Sequence, residues 1–163
     1  MWAANLNQVY VNKPQGDRFS SWVIFLRHGG ESNKESVIRE KHERIDKLLS
    51  EQNVCYTEIT TRSGKSDVYD RFGIRNKQHP LFLILNKPPL EYSKKDSFIV
   101  IEWGKWPDND ELKDNVMALV NFISDEEFQK QLTKAKDVRA WRKLLKLGKD
   151  YGLPVAGIIV SAL

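Results

Sequence analysis

Two apolar runs flank one amphipathic segment near the start of the chain. Residues 21–26 form a nearly continuous apolar run, which predicts a strand buried on both faces. Residues 32–53 follow, with Ser32 and Glu35 at the spacing of a capping box and with apolar residues recurring on one helical face. Residues 54–61 are rich in β-branched and aromatic side chains and predict a second strand. Strand, helix and strand in this order predict a parallel βαβ unit.

The next part of the chain carries two more strand signals before another helix. Residues 67–72 predict a short helix that Gly73 closes, and the apolar runs 80–85 and 97–103 predict the third and fourth strands. The connection between these two strands has a length of about ten residues, which favours an antiparallel hairpin with a long loop. Residues 108–123 begin with acidic side chains, which suit the positive end of a helix, and continue with an apolar stripe.

The remainder, residues 125–163, differs from the rest in charge. Residues 125–150 are helical in character and basic, while the apolar segment 155–163 is too short to span a bilayer and predicts an added strand or a buried arm. We divide the chain into an N-terminal extension (1–20), an α/β core (21–124) and a C-terminal helical extension packed on that core. The basic residues of the extension can neutralise phosphates, although charge runs with interspersed acidic residues are usually solvated helix faces: Lys130, Lys134, Lys136, Arg139, Arg142, Lys143, Lys146 and Lys149.

Composition excludes several classes of protein. A chain of 163 residues with ordinary apolar and charged fractions buries its own core without a disulfide or a structural metal. Cys55 is the single cysteine, so an internal disulfide, a Cys-x-x-Cys redox pair and a cysteine-based zinc site are impossible. The chain has no apolar run of membrane-spanning length and no secretory pattern at its start, so we expect a cytoplasmic protein with no membrane partner. The net charge of +4 permits an anionic partner without requiring one.

One local motif makes the fold prediction more specific. The segment 72–75, Phe-Gly-Ile-Arg, is followed by Pro80 and an apolar strand, and it resembles the aromatic-Gly-Ile segment that leads to the cis-proline of the thioredoxin family. The resemblance covers roughly residues 20–124. It implies a three-layer α/β sandwich, built from a βαβ unit and a ββα unit, with a cis peptide bond between His79 and Pro80. The family's redox cysteines stand just after the first strand, where residues 27–33 of this chain contain none. The resemblance therefore implies the fold and not dithiol exchange.

The segment after the first strand carries candidate chemistry of another kind. Arg27, His28 and Gly29 are similar to the Arg-His-Gly segment of the histidine phosphatase superfamily, in which a histidine attacks phosphorus and arginines bind phosphate. That family also needs a second histidine at the end of a later strand. His42 falls within the predicted helix and His79 precedes a strand, so neither has that position.

The same loop is a candidate ligand site without that resemblance. It lies at the carboxyl end of a buried strand, where open α/β sheets bind ligands, and it leads into a helix N-terminus with free N–H groups. The alternative is a solvated loop with no ligand. The predicted ligand or anion site comprises Arg27, His28, Gly29, Ser32 and Pro80.

Two further signals favour structural roles. Residues 63–66, Ser-Gly-Lys-Ser, resemble the end of a P-loop, but Ile59 stands where its first glycine belongs, so a turn and a helix cap are the better interpretation. His42 lies on the apolar side of its helix and has no second ligand at suitable spacing, so we interpret it as a core or boundary residue and predict no metal site.

We expect a non-catalytic thioredoxin-like protein that acts as a protein-interaction module without a cofactor. One alternative is a phosphate-ester enzyme that uses Arg27 and His28, and another is a basic protein that binds nucleic acid through residues 130–149. Two tryptophans after the fourth strand are either a contact pair or part of the core. The predicted interaction surface comprises Trp103, Trp106, Arg139, Arg142, Lys143 and Lys146.

Overall fold

A six-stranded mixed sheet forms the centre of the protein. In the computed structural model, the described part of the chain consists of residues 2–3, 19–27, 32–60, 67–93, 95–153 and 157–162. The strands in chain order are β1 (Trp2–Ala3), β2 (Ser21–Arg27), β3 (Val54–Thr60), β4 (Leu81–Leu85), β5 (Ser97–Glu102) and β6 (Ile158–Ala162).

The strands lie side by side in the order β1-β3-β2-β4-β5-β6. β3 runs parallel to both β1 and β2, whereas β4, β5 and β6 are each antiparallel to the preceding neighbour in that order. The register of β2 on β3 runs from Ser21 opposite Val54 to Arg27 opposite Thr60. The predicted parallel βαβ unit and the predicted antiparallel hairpin of β4 and β5 are both confirmed.

In the described part of the chain, five α-helices connect and cover the strands. They are α1 (Asn33–Glu51), α2 (Asp67–Phe72), α3 (Leu112–Ile123), α4 (Glu126–Lys134) and α5 (Val138–Leu147). Short 3-10 turns cover Pro89–Glu91, Trp103–Lys105 and Gly148–Tyr151. α1 begins where its cap predicts, because the Ser32 hydroxyl accepts a hydrogen bond from the Glu35 N–H at 3.3 Å. Of the described helices, none is long and apolar enough to cross a membrane.

The sheet separates two hydrophobic clusters. Alternate residues of β2 enter different clusters: Val23 and Phe25 pack with α1, α3, α4 and α5, whereas Trp22, Ile24 and Leu26 pack with α2. Every apolar residue of β2 is therefore buried, which explains its uninterrupted apolar sequence. The result is a mixed α/β fold in which most helices cover one face and the short α2 covers the other.

The C-terminal extension shares the larger cluster. Phe128 and Leu132 of α4 and Trp141 and Leu144 of α5 are buried in it beside residues of α3 and of the sheet. The terminal segment is an added strand rather than a buried arm, since β6 pairs with β5. The peptide bond between His79 and Pro80 is cis, the state that the resemblance implies and that the sequence alone leaves open.

Candidate functional site

The exposed side of α5 is a row of cations. Arg139, Arg142, Lys143 and Lys146 follow one another at helical positions i, i+3, i+4 and i+7, which lie on one side of a helix. All four side chains are exposed. At the rise of an α-helix the row extends over about 10 Å.

The core determines which way this row faces. On the opposite side of α5, Trp141 and Leu144 are buried in the larger hydrophobic cluster. The helix begins at Asp137, whose carboxylate accepts a hydrogen bond from the Ala140 N–H at 2.8 Å. Because the apolar side is held in the core, the cationic side must face the solvent.

The preceding helix and turn extend the cationic surface. Lys130 and Lys134 of α4 and Lys136 of the turn are also exposed. Residues 130–146 thus hold seven basic side chains and one acidic side chain, Asp137, so this segment carries more positive charge than the chain as a whole, whose net charge is +4. Within the described part of the chain, none of these seven cations forms an ion pair. We call residues 130–146 the basic surface.

The basic surface differs from an ordinary solvated helix because carboxylates do not balance its cations. On α1, the exposed cations Arg39, Arg44 and Lys47 alternate with carboxylates such as Glu40 and Glu43. Such mixed faces are usual for solvated helices. Like charges three or four residues apart cost about 0.2–0.5 kcal/mol per pair, so the row on α5 slightly destabilises its own helix. A bound anion would remove that repulsion.

Hydrogen bonds from the core hold the C-terminal end of α4. The Asn86 side chain, just after β4, donates to the carbonyl oxygens of Leu132 at 3.0 Å and of Ala135 at 2.9 Å. Such carbonyls at a helix end lack intrahelical partners. The Tyr92 hydroxyl accepts a hydrogen bond from the Asn86 N–H at 3.1 Å and lies 3.2 Å from its Oδ1. Burial is the main cause that raises the pKa of Tyr92, so its hydroxyl stays protonated.

The N-terminal end of α4 is held in the same way. Gln129 is buried, donates to the Ile123 carbonyl at 2.6 Å, and accepts a hydrogen bond from the Ser21 hydroxyl at 2.6 Å. Asp125 accepts hydrogen bonds from the Phe128 N–H at 2.8 Å and from the Tyr151 hydroxyl at 2.6 Å. The hydrogen bond from Tyr151 is the first cause that lowers the pKa of Asp125. Both ends of α4 are therefore fixed to the α/β core.

A surface cavity of about 280 Å³ lies beside the turn between α4 and α5. Lys87 and Asp96, which form an ion pair at 2.5 Å, and Lys136 of the basic surface form part of its wall. The lining residues are Asn86, Lys87, Asp96, Ser97, Ala135, Lys136 and Trp141.

The predicted ligand site at the end of β2 is described only in part. Arg27 is half-buried, and its Nε donates to the Thr60 hydroxyl of β3 at 2.9 Å. His28 and Gly29 lie outside the described residues. Ser32 is exposed and caps α1. Pro80 is buried in another loop, where its carbonyl accepts a hydrogen bond from the Gly104 N–H at 3.1 Å.

The P-loop-like segment 63–66 also lies outside the described residues.

A buried polar cluster was missed by sequence reasoning. Glu58 of β3 is completely buried, accepts a hydrogen bond from the Tyr56 hydroxyl at 2.9 Å, and lies 2.8 Å from His42 Nδ1 of α1. Burial and the neighbouring Glu58 carboxylate raise the pKa of Tyr56 well above its usual value. The sequence did offer one signal, because Glu58 is a charged residue inside an apolar strand. Its partner His42 lies on another element, so the strand alone does not identify it.

The His42 side chain is 19% exposed and lies at the boundary of the core. The described residues contain no cluster of three or more side chains suited to hold a metal ion.

The two tryptophans are part of the core, the second of the two alternatives, so their place in the predicted interaction surface is corrected. Trp103 and Trp106 are 0% and 1% exposed. The 3-10 turn after β5 directs both side chains into the larger cluster, where the Trp103 ring lies 5.7 Å from that of Phe82. Of the predicted interaction surface, only the four cations of α5 are available to a partner.

Comparison of the chain with protein-family models, with characterised proteins and with solved structures found no significant match. What can be said of this protein therefore comes from its own fold and surface. It is a mixed α/β protein whose most distinctive described surface is a cationic helical face fixed to the core.

Proposed function

We propose that this chain is a non-catalytic, thioredoxin-like binding module that holds an anionic partner on the basic surface of α4 and α5. The proposal keeps the non-catalytic interaction module that the sequence predicts but replaces its protein partner by an anionic one, since the available contact surface consists of cations. The observation that carries the proposal is the set of seven exposed, unpaired basic side chains within residues 130–146. Surfaces of one sign concentrate and orient partners of the opposite sign.

Several features support the thioredoxin-like arrangement. The four central strands have the order β3-β2-β4-β5, with one parallel pair followed by two antiparallel pairs. The short helix α2 covers the face opposite to α1 and α3. A cis bond at His79-Pro80 precedes β4, at the position that the resemblance implies.

A binding role fits the chemistry of the chain better than catalysis does. Dithiol exchange requires two thiols, and this chain has one cysteine, Cys55, which is buried in β3. The phosphate-ester alternative depends on Arg27 and His28. The Nε of Arg27 is already bonded to the Thr60 hydroxyl, and His28 lies outside the described residues. That alternative has no observation in its favour.

The test compares two variants with the same change in charge. The first is the quadruple variant R139A/R142A/K143A/K146A, which removes the row on α5. The control is R39A/R44A/K47A/K95A, which also removes two arginines and two lysines that are exposed and make no ion pair with described residues. Both variants have a formal net charge of zero instead of +4.

Binding is measured by titration with heparin fragments, used as a generic polyanion, and folding is checked by thermal unfolding. We expect the wild type and the control to bind alike and the quadruple variant to bind at least about tenfold more weakly, because only the quadruple variant removes the row of four cations on α5. Equal losses in both variants would show that net charge alone controls binding, and the proposal would be wrong.

A further inference from the structure

We infer that the anionic partner is the phosphate backbone of a double-stranded nucleic acid, held without regard to base sequence. This inference rests on the proposed function and names the partner class of the basic surface. It follows from the cations and from the lack of exposed apolar or aromatic anchors beside them on α4 and α5.

The basic surface does not have the make-up of a protein-binding interface. Such interfaces have a desolvated centre built around aromatic or aliphatic anchors. Among the residues whose side chains the structure describes, the exposed large hydrophobic one is Leu90, and it belongs to the turn Pro89–Glu91 rather than to α4 or α5. A partner bound here meets charge without an apolar anchor, which suits a chain of phosphates.

Single-stranded nucleic acids are excluded by a similar argument. Proteins that hold single strands stack the bases on exposed aromatic rings. Trp141 and Phe128 on the helices of the basic surface are buried, and Tyr151 is half-buried with its hydroxyl bonded to Asp125. Among the residues whose side chains the structure describes, no aromatic ring is exposed. A duplex needs no stacking surface, because its bases are already stacked and its phosphates face outward.

An anionic membrane does not fit either. A helix that binds a bilayer surface inserts its apolar side between the lipids. The apolar side of α5 is occupied by the core through Trp141 and Leu144, and α4 is held through Phe128 and Leu132. Neither helix has a free apolar side to insert.

The geometry and chemistry of the row match a phosphate backbone. A duplex carries one negative charge per about 1.7 Å of its axis, so a row of about 10 Å lies within reach of several phosphates. Two of the four cations, Arg139 and Arg142, have guanidinium groups that can donate two parallel hydrogen bonds to a phosphate. Lys130, Lys134 and Lys136 add further positive charge on the adjoining helix and turn.

The fixed position of these helices favours a rigid partner. Asn86 and Gln129 tie the two ends of α4 to the core, so the cations on it are presented on a preformed platform. A preformed surface loses little conformational entropy when it binds. The phosphate chemistry is shared by duplex DNA and duplex RNA, so the experiment includes both.

The experiment measures fluorescence anisotropy with labelled probes and the complete chain. The probes are a DNA duplex of about two helical turns, an RNA duplex of equal length, one single strand of the DNA and a poly-glutamate peptide of matched charge. Vesicles containing phosphatidylserine are tested by co-sedimentation. Each probe is measured with the wild type, the quadruple variant and its charge-matched control, over a series of salt concentrations.

We expect the wild type to bind a duplex at least about fivefold more tightly than the single strand, the peptide or the vesicles. If the four cations of α5 each contact a phosphate, the logarithm of the binding constant falls with the logarithm of salt concentration with a slope of about −4. The quadruple variant should lose at least about tenfold in affinity and most of that slope, whereas the control should stay within about twofold of the wild type. A DNA duplex of scrambled sequence should bind equally well.

The outcomes separate this inference from the proposed function. Tighter binding of poly-glutamate or of vesicles, lost in the quadruple variant, would overturn the nucleic-acid inference and leave an anion-binding module. A single strand bound as tightly as the duplex would overturn the preference for double strands. Duplex binding with a flat salt response, or binding that the quadruple variant retains, would refute the role of the basic surface. Failure of every polyanion to bind would refute both proposals.

Discussion

Asn86 offers the sharpest test of how the core positions the basic surface. Its side chain donates to the carbonyl oxygens of Leu132 and Ala135 at the end of α4, across 46 and 49 residues of sequence. The substitution Asn86→Ala removes both hydrogen bonds. It leaves the Leu132 carbonyl with one remaining partner, the Ala135 N–H at 3.2 Å.

The expected cost follows from these contacts. A hydrogen bond within a protein contributes about 0.5–1.5 kcal/mol net, and a polar group that loses its partner in a partly buried site adds to that cost. The two lost bonds to the α4 carbonyls, together with the lost contact between Asn86 Oδ1 and the Tyr92 hydroxyl, predict a destabilisation of about 2 kcal/mol. Asn86→Asp is the matched control for shape. Because its carboxylate has no donors, it faces the two carbonyls unfavourably and should cost at least as much as Asn86→Ala.

Urea unfolding measures both variants, and a double-mutant cycle with Tyr92→Phe adds a second test. The Tyr92 hydroxyl lies within hydrogen-bond distance of the Asn86 N–H and of its Oδ1. We therefore expect a coupling energy of at least about 0.5 kcal/mol between the two substitutions. If Asn86→Ala lowers the free energy of unfolding by less than about 0.5 kcal/mol, Asn86 does not hold α4, and the view of the basic surface as a fixed platform fails.

Three other predictions concern stability and reactivity. The pKa of Asp125 is lowered in the folded state, so its contribution is present above the carboxyl's ordinary pKa and is lost as the pH falls through the lowered value. Asp125→Asn keeps the helix cap, and its acid unfolding profile should be flatter than that of the wild type in urea melts between neutral and strongly acidic pH. Trp141→Ala should cost about 3–5 kcal/mol by calorimetry, since it empties a buried site beneath the basic surface. The Cys55 thiol should react with a thiol reagent only after a denaturant is added, and rapid labelling of the native protein would contradict its burial.

The sequence by itself determined those features that depend on short-range pattern. The apolar run at 21–26 predicted β2 because a strand buried on both faces needs apolar residues at every position. Ser32 predicted the start of α1 because its hydroxyl satisfies a free N–H of the first turn. The spacing of Arg139, Arg142, Lys143 and Lys146 alone placed four cations on one side of a helix. These features depend on residues close in sequence, so they do not require knowledge of the tertiary structure.

Features that depend on distant partners were decided only by the tertiary structure. Residues 158–162 are a strand because the edge of β5 is available to pair with them, which the segment itself does not reveal. The two tryptophans, Trp103 and Trp106, are buried because the turn after β5 meets the helical layer, and neither residue type nor spacing encodes that direction.

The same holds for polar contacts over long separations. Glu58 meets His42 from another element, and Asn86 meets the end of α4 through the folded core. A single sequence reports the local preference of each residue, whereas the identity of a partner many residues away follows from how the elements pack. For this protein, local pattern placed the cations on one helix face, and packing made that face an exposed and fixed surface.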